Sequence, residues 1–175
     1  MRKPHIVVIG HLAGPALYGA ERSLLDIVAA VDRRKYRLSC VLPARNDDND
    51  EYVHALARHT DDIVAFYYEW WKGAPQGDPA AVSQFEELFR RNEADLVHVN
   101  TVTLFDPLIA ARNVGVPSIL HARELIFNNP KLCRTLGGSS ASILRQLRAA
   151  SDFVIANSDV THRLSLVSFR NHCFR

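Results

Sequence analysis

Short β-branched runs recur along the chain between stretches whose apolar residues fall at helical spacing. The runs are His5-Ile-Val-Val-Ile-Gly10, Tyr36-Arg-Leu-Ser-Cys-Val-Leu42, Asp62-Ile-Val-Ala-Phe-Tyr-Tyr68, Asp95-Leu-Val-His-Val-Asn100, Pro117-Ser-Ile-Leu-His-Ala122 and Asp152-Phe-Val-Ile-Ala-Asn157, which predict six strands. Between them Leu24, Leu25, Ile27, Val28 and Val31, and again Val82, Phe85, Leu88 and Phe89, follow the period of an amphipathic helix. Nearly continuous apolar strands alternating with helices require crossovers, and crossovers build a parallel sheet covered on both faces. The expected fold is therefore α/β, a three-layer Rossmann-like doubly wound parallel sheet. In such sheets ligands gather at the carboxyl ends of the strands. That directs attention to segments 11–21, 43–50, 69–77, 100–106, 123–129 and 158–161.

Composition narrows the class. A chain of 175 residues, 47% hydrophobic and 23% charged, suits one domain with a proper core and has no room for a second of equal size. Twenty-one basic residues against 19 acidic leave a formal charge of +2, too little to drive general binding to nucleic acid. Cys40, Cys133 and Cys173 are odd in number and far apart, so they read as reduced thiols of a cytoplasmic protein. The eight histidines are scattered without H-x-x-x-H pairing, and no metal site is expected. The apolar run at Ile6 to Ile9 is too short for a signal peptide, and no stretch approaches the roughly 20 residues of a membrane span. Any membrane contact would be peripheral. The polar stretch at 45–51 reads as a solvated loop leading into a capped helix. A helix is expected over 159–167 and an irregular tail over 168–175.

The first strand runs into His11-Leu-Ala-Gly-Pro-Ala-Leu-Tyr-Gly-Ala-Glu-Arg-Ser23, which opens a helix. Backbone N–H groups around Gly19 and Ala20 should then face the crevice, where a phosphate could sit. The G-x-G-x-x-G fingerprint is not met, because Gly10, Gly14 and Gly19 are too widely spread. Strand two ends in Leu42-Pro43-Ala44-Arg45, without the acid that grips a ribose. The Lys-Ser/Thr pair of a P-loop is also missing. Nicotinamide and ATP chemistry are both disfavoured.

Four segments taken together carry a resemblance. Tyr18-Gly-Ala-Glu-Arg-Ser-Leu-Leu25 is similar to the G-G-A-E-x-x-L segment after the first strand of family 4 glycosyltransferases, with Tyr18 in place of the first glycine. Asp95-Leu-Val-His-Val-Asn-Thr101 resembles the family's D-[IV]-[IV]-H-x-[NH] strand, and Gly115-Val-Pro117 its G-[VI]-P approach to strand five. Ala150-Ser-Asp-Phe-Val-Ile-Ala-Asn-Ser158 resembles its A-D-x-[IV]-[IV]-x-x-S strand. They occur in the family's order and span nearly the whole chain. The resemblance implies one half of a GT-B fold: residues 1–167 as the N-terminal, acceptor-side domain of a retaining glycosyltransferase. The donor-binding half, with its E-x₇-E motif, has no counterpart here. Such an enzyme moves a sugar from a nucleotide-diphosphate sugar, its co-substrate, to a hydroxyl of a sugar or glycolipid acceptor, without a bound cofactor or metal. Its acceptors place it at the inner face of a membrane, and little activity is expected of this half alone. An interdomain face left exposed would favour self-association. The rival readings are a docking module that relies on a separate donor-binding polypeptide, a GT-B-shaped nucleotide-sugar epimerase, and a truncated product.

The resemblance assigns candidate residues. Where the family has His-Asp past strand five, this chain has Arg123-Glu124, and His121 stands two residues before Arg123 on the same side of the strand. These three are the catalytic candidates. Arg123 offers a planar cation for a phosphate or carboxylate, or else pairs with Glu124 or a neighbour. His121 is either a core histidine or an imidazole that reaches the crevice. Gly19 and Ala20 are the candidates for close backbone approach to the co-substrate. Asn100 and Thr101 could bind sugar hydroxyls, while His98 reads as structural. Glu21 reads as a complement to the helix N-terminus and Ser158 as an N-cap. Phe66-Tyr-Tyr-Glu-Trp-Trp-Lys72 carries five aromatic rings at the exit of strand three. Part of this cluster must be core, and Trp70 and Trp71 are the candidate sugar or lipid platforms.

Overall fold

A computed structural model describes residues 2–11, 18–44, 50–159 and 161. Six parallel strands, β1 (His5–Ile9), β2 (Arg37–Pro43), β3 (Asp62–Phe66), β4 (Leu96–Val99), β5 (Ser118–Ala122) and β6 (Phe153–Ala156), lie in the order β3-β2-β1-β4-β5-β6. The helices are α1 (Gly19–Ala30), α2 (Asp50–Ala57), α3 (Pro79–Arg91), α4 (Asp106–Val114), α5 (Pro130–Thr135) and α6 (Ser140–Ala150). A 3₁₀ turn at Ile126–Asn128 precedes α5. All six expected strands form. The loop at 12–17, the polar stretch at 45–49 and the tail at 168–175 lie outside the described residues, as does most of the helix expected over 159–167.

Side chains that alternate along each strand feed two cores. Val7, Ile9, Val97, Val99 and Leu120 join Phe85, Phe89, Leu108, Ile143 and Leu147 of α3, α4 and α6. Val8, Leu38, Cys40 and Leu42 join Leu24 and Val28 of α1 and Tyr52 and Leu56 of α2. This is why β1 and β2 read as unbroken apolar runs: both faces are dry. Capping residues fix the helix ends. Asp78 accepts from the Ala80 amide at 2.9 Å with Pro79 behind it, and Ser139 accepts from the Ser142 amide at 3.2 Å. Gly115 closes α4 with φ +73°, a left-handed conformation that glycine adopts without strain.

Three aspartates set the strand register. Asp95 accepts from the His5 amide at 2.7 Å, Asp61 from the Leu38 amide at 2.8 Å and Asp152 from the Ser118 amide at 2.8 Å. Each sits just before a strand and satisfies the otherwise unpaired amide at the head of a neighbouring one. The aspartates in the Asp95-Leu-Val-His and Ser151-Asp-Phe-Val segments are therefore register pins. Strand β3 is shorter than its apolar run, ending at Phe66 rather than Tyr68. The Tyr68 ring is buried against Phe66 and Phe85, and its hydroxyl donates to the carbonyls of Gly10 and Val41. No helix among the described residues is long and apolar enough to cross a membrane.

Candidate functional site

The sheet order reverses between β1 and β4, which in folds of this kind marks a ligand crevice at the carboxyl ends of the strands. The amino end of α1 forms one wall. Half of a capping box starts this helix: the Glu21 carboxylate accepts from the Tyr18 amide at 3.0 Å, so Glu21 does complement the helix terminus. Its other oxygen lies 3.6 Å from the His11 ring, and the residue is only 2% exposed. The Gly19 and Ala20 amides head the helix as its first two donors, which no carbonyl within the helix can satisfy. Gly19 is exposed, and among the described residues a Cβ built on it would meet nothing within 4 Å.

Two side chains from the sheet fasten this first turn. Asn100, just past β4, is 1% exposed and donates to the Ala20 carbonyl at 3.0 Å, so it fastens the helix and does not present its amide to a sugar hydroxyl as expected. Arg123, just past β5, donates to the Gly19 carbonyl at 2.9 Å and to the Ser23 hydroxyl. Arg123 has no carboxylate within ion-pair distance among the described residues. Glu124 points elsewhere, accepting from the Thr101 hydroxyl at 2.6 Å and the Val102 amide at 3.3 Å. The ion pair weighed for Arg123 and Glu124 therefore does not form. Just past β5 the two side chains thus leave the chain in different directions, one to α1 and the other to the loop after β4.

Beneath Arg123 the His98 and His121 rings stack with centroids 5.7 Å apart, and both residues are buried, at 7% and 9% exposure. Desolvation lowers each pKa from 6.5 to about 4, assisted by the charge of Arg123 and, for His98, by that of His121. Both rings are neutral at pH 7. His98 Nε2, His121 Nδ1 and Asn100 Oδ1 are buried without a hydrogen-bond partner. His121 is thus a buried histidine, and His98 is packed as expected.

The remaining candidates separate. Thr101 is fully buried, and its hydroxyl is engaged by Glu124 and Thr103, so it braces the loop from inside the protein. Trp71 corrects the expectation of a surface platform. It is 3% exposed, stacked on Phe105 at 4.5 Å, with its indole N–H donated to the Ala74 carbonyl at 2.8 Å. Trp70 is 37% exposed and lies 5.8 Å from the His11 ring, which puts it at the rim of the first loop. Reading the sequence missed Ser23, although its spacing of four from Gly19 places both on one helical face. No group of three or more His, Cys, Asp and Glu among the described residues could hold a metal. A cavity of about 470 Å³ between Arg2, His5, Arg37 and Asn92 lies at the opposite, amino ends of the strands.

The strand order and the crevice at its switch point define a Rossmann-like domain of the kind that pairs with a second to make a GT-B protein. A family model described as a glycosyl transferase 4-like domain matches residues 18–169, and the chain belongs to that family. No curated protein matches the sequence. Solved structures share the fold at low identity. A UDP-N-acetylglucosamine 2-epimerase aligns at 14% identity and TM-score 0.65, over 97% of this chain and 46% of its own. MnaA of S. aureus, in a structure with UDP, aligns at 12% and 0.64, over 97% and 43%. UGT2 of Phytolacca americana, with UDP-2fluoro-glucose and pterostilbene, aligns at 13% and 0.55, over 91% and 49%. The chain spans less than half the length of each.

Proposed function

We propose that this domain forms the acceptor side of a glycosyl-transfer site, in which a sugar passes from a nucleoside diphosphate to an acceptor hydroxyl with retention of configuration. The observation that carries the reading is the exposed amino end of α1 at Gly19, flanked by the guanidinium of Arg123, which no carboxylate among the described residues pairs. A helix N-terminus and a fixed cation both stabilise negative charge, which is what a departing diphosphate develops. The exposed face of Trp70, beside His11 past β1, suits a sugar-bearing acceptor, including a glycolipid at a membrane surface, while the buried Asn100 holds the first turn of α1. Gly19 keeps the wall free of side chains so that ligand can approach the backbone. In this reading most of the nucleotide contacts belong to a second, donor-binding half.

Calorimetry with UDP-, GDP- and ADP-sugars on the purified chain and on Gly19→Trp tests the division of labour. Because Gly19 is exposed and no described residue lies within 4 Å of a Cβ there, the variant should fold normally while filling the crevice. Binding no tighter than millimolar is the expected result for an acceptor-side domain. Micromolar binding that Gly19→Trp abolishes would assign a working donor site to this half and overturn the reading.

A further inference from the structure

Arginine side chains in this protein are held in two different ways. Arg2 forms a two-pronged pair with Asp95 at 2.7 and 2.8 Å, which cancels its charge. Arg123 is held by two neutral oxygens, the Ser23 hydroxyl and the Gly19 carbonyl, which lie one turn apart on the same face of α1. We propose that Ser23 is a positioning residue that holds the Arg123 guanidinium at the amino end of α1 as the receptor for a phosphate group of the ligand. The proposal rests on the reading of the crevice as the ligand site, and adds to it the residue that orients the cation and the chemistry of what the cation receives.

A guanidinium carries five N–H donors in a fixed plane. Two engage α1, which leaves three to turn toward a ligand, and neither acceptor removes the positive charge. The carboxylate of the same helical turn, Glu21, is buried and engaged with the Tyr18 amide and His11 rather than with Arg123. The neighbouring imidazoles of His98 and His121 add no counter-charge. Glu21 already complements the helix terminus, so the positive charge left without a carboxylate partner there is that of the guanidinium. A tetrahedral phosphate has oxygens enough to accept from Arg123 and from the Gly19 and Ala20 amides together, whereas a carboxylate has only two. An untethered arginine would lose its rotamer freedom on binding, and tethering to Ser23 removes that cost beforehand.

The test is a titration of the isotope-labelled chain with pyrophosphate, followed by amide NMR, with acetate at matched ionic strength as the carboxylate arm. Wild type should show saturable shifts at Gly19 and Ala20 in the millimolar range. Ser23→Ala should weaken binding about five- to tenfold, the effect of one ordinary hydrogen bond, and Ser23→Thr should restore it to within about twofold. Arg123→Met should abolish it. A Ser23→Ala variant that binds like wild type, or a Ser23→Thr variant as weak as Ser23→Ala, overturns the role of Ser23 while leaving Arg123 as the receptor. Acetate binding as tightly as pyrophosphate overturns the phosphate assignment. Absence of saturable binding in wild type, or wild-type binding by Arg123→Met, overturns the reading of the crevice itself.

Discussion

Moderate acid should destabilise this domain before its carboxylates titrate, and the cause should be two residues. His98 and His121 each have a pKa lowered from 6.5 to about 4 in the folded protein. A lowered histidine pKa means that the unfolded chain binds the proton more tightly. Stability is therefore full above about pH 6.5 and falls as the pH drops toward 4. At pH 5 an unfolded histidine is almost wholly protonated and the folded one almost wholly neutral, which costs about 2 kcal/mol for each residue. For the stacked pair the loss is then about 2–4 kcal/mol, a large part of the roughly 5–15 kcal/mol that holds a domain together. His5 contributes in the same direction, since desolvation lowers its pKa as well. Asp61 and Asp95, held below the usual carboxylate range, lose their contribution only at lower pH. Urea unfolding followed by circular dichroism at pH 7.0 and 5.0 reads the difference as a shift in midpoint. His98→Leu should flatten the profile by roughly half, whatever it does to stability at pH 7. Equal midpoints at the two pH values in wild type would refute the argument, because a pair of dry, neutral imidazoles cannot be indifferent to protonation.

Two further predictions separate residues that the sequence presents side by side. Trp71→Ala should cost about 3–5 kcal/mol in urea unfolding because it empties a core position against Phe105, whereas Trp70→Ala should cost less than about 1 kcal/mol. Glu124→Ala should destabilise by about 1–3 kcal/mol, since it leaves the buried Thr101 hydroxyl and the Val102 amide without their acceptor; Glu124→Gln, which keeps an oxygen, should lose less in the same assay.

The strands were legible because burial on both faces leaves a signal that turns cannot mimic, and β1 and β2 carry it in Ile6 to Ile9 and Leu38 to Leu42. Where the reading slipped, a long-range contact overrode a local pattern. Tyr68 continues the apolar run of β3, but hydrogen bonds to Gly10 and Val41, 58 and 27 residues away, draw it off the strand. The same limit applies to Trp71, because aromatic identity does not say whether a ring faces the Phe105 core or solvent. Thr101 was legible as a residue at the end of a strand and not as a hydroxyl already committed to Glu124. The strand-end rule and the Tyr18-Gly-Ala-Glu segment pointed to the amino end of α1, and the strand order that places β1 beside β4 brings Asn100 and Arg123 to it.

The departure at Arg123-Glu124 shows what the family pattern conveys and what it leaves to geometry. A family histidine and aspartate at these positions would invite a single reading as a catalytic pair. Here the two side chains leave the chain past β5 in different directions, and each meets a different element. Glu124 closes the loop after β4 through Thr101 and Val102. Arg123 reaches a helix 100 residues earlier in the chain, at Ser23. An arginine and a glutamate that both faced the crevice would have neutralised one another and left nothing for an anion. With the glutamate spent on the loop and the arginine held by neutral oxygens, the positive charge at the amino end of α1 survives. That separation depends on where Arg123 and Glu124 fall relative to the end of β5, so inserting a single residue between His121 and Arg123 should displace both side chains from their partners. The expected result is loss of both the Thr101 brace and pyrophosphate binding, read together by unfolding and titration. An insertion that kept binding would show that the charge at this end of the sheet does not depend on which way Arg123 points.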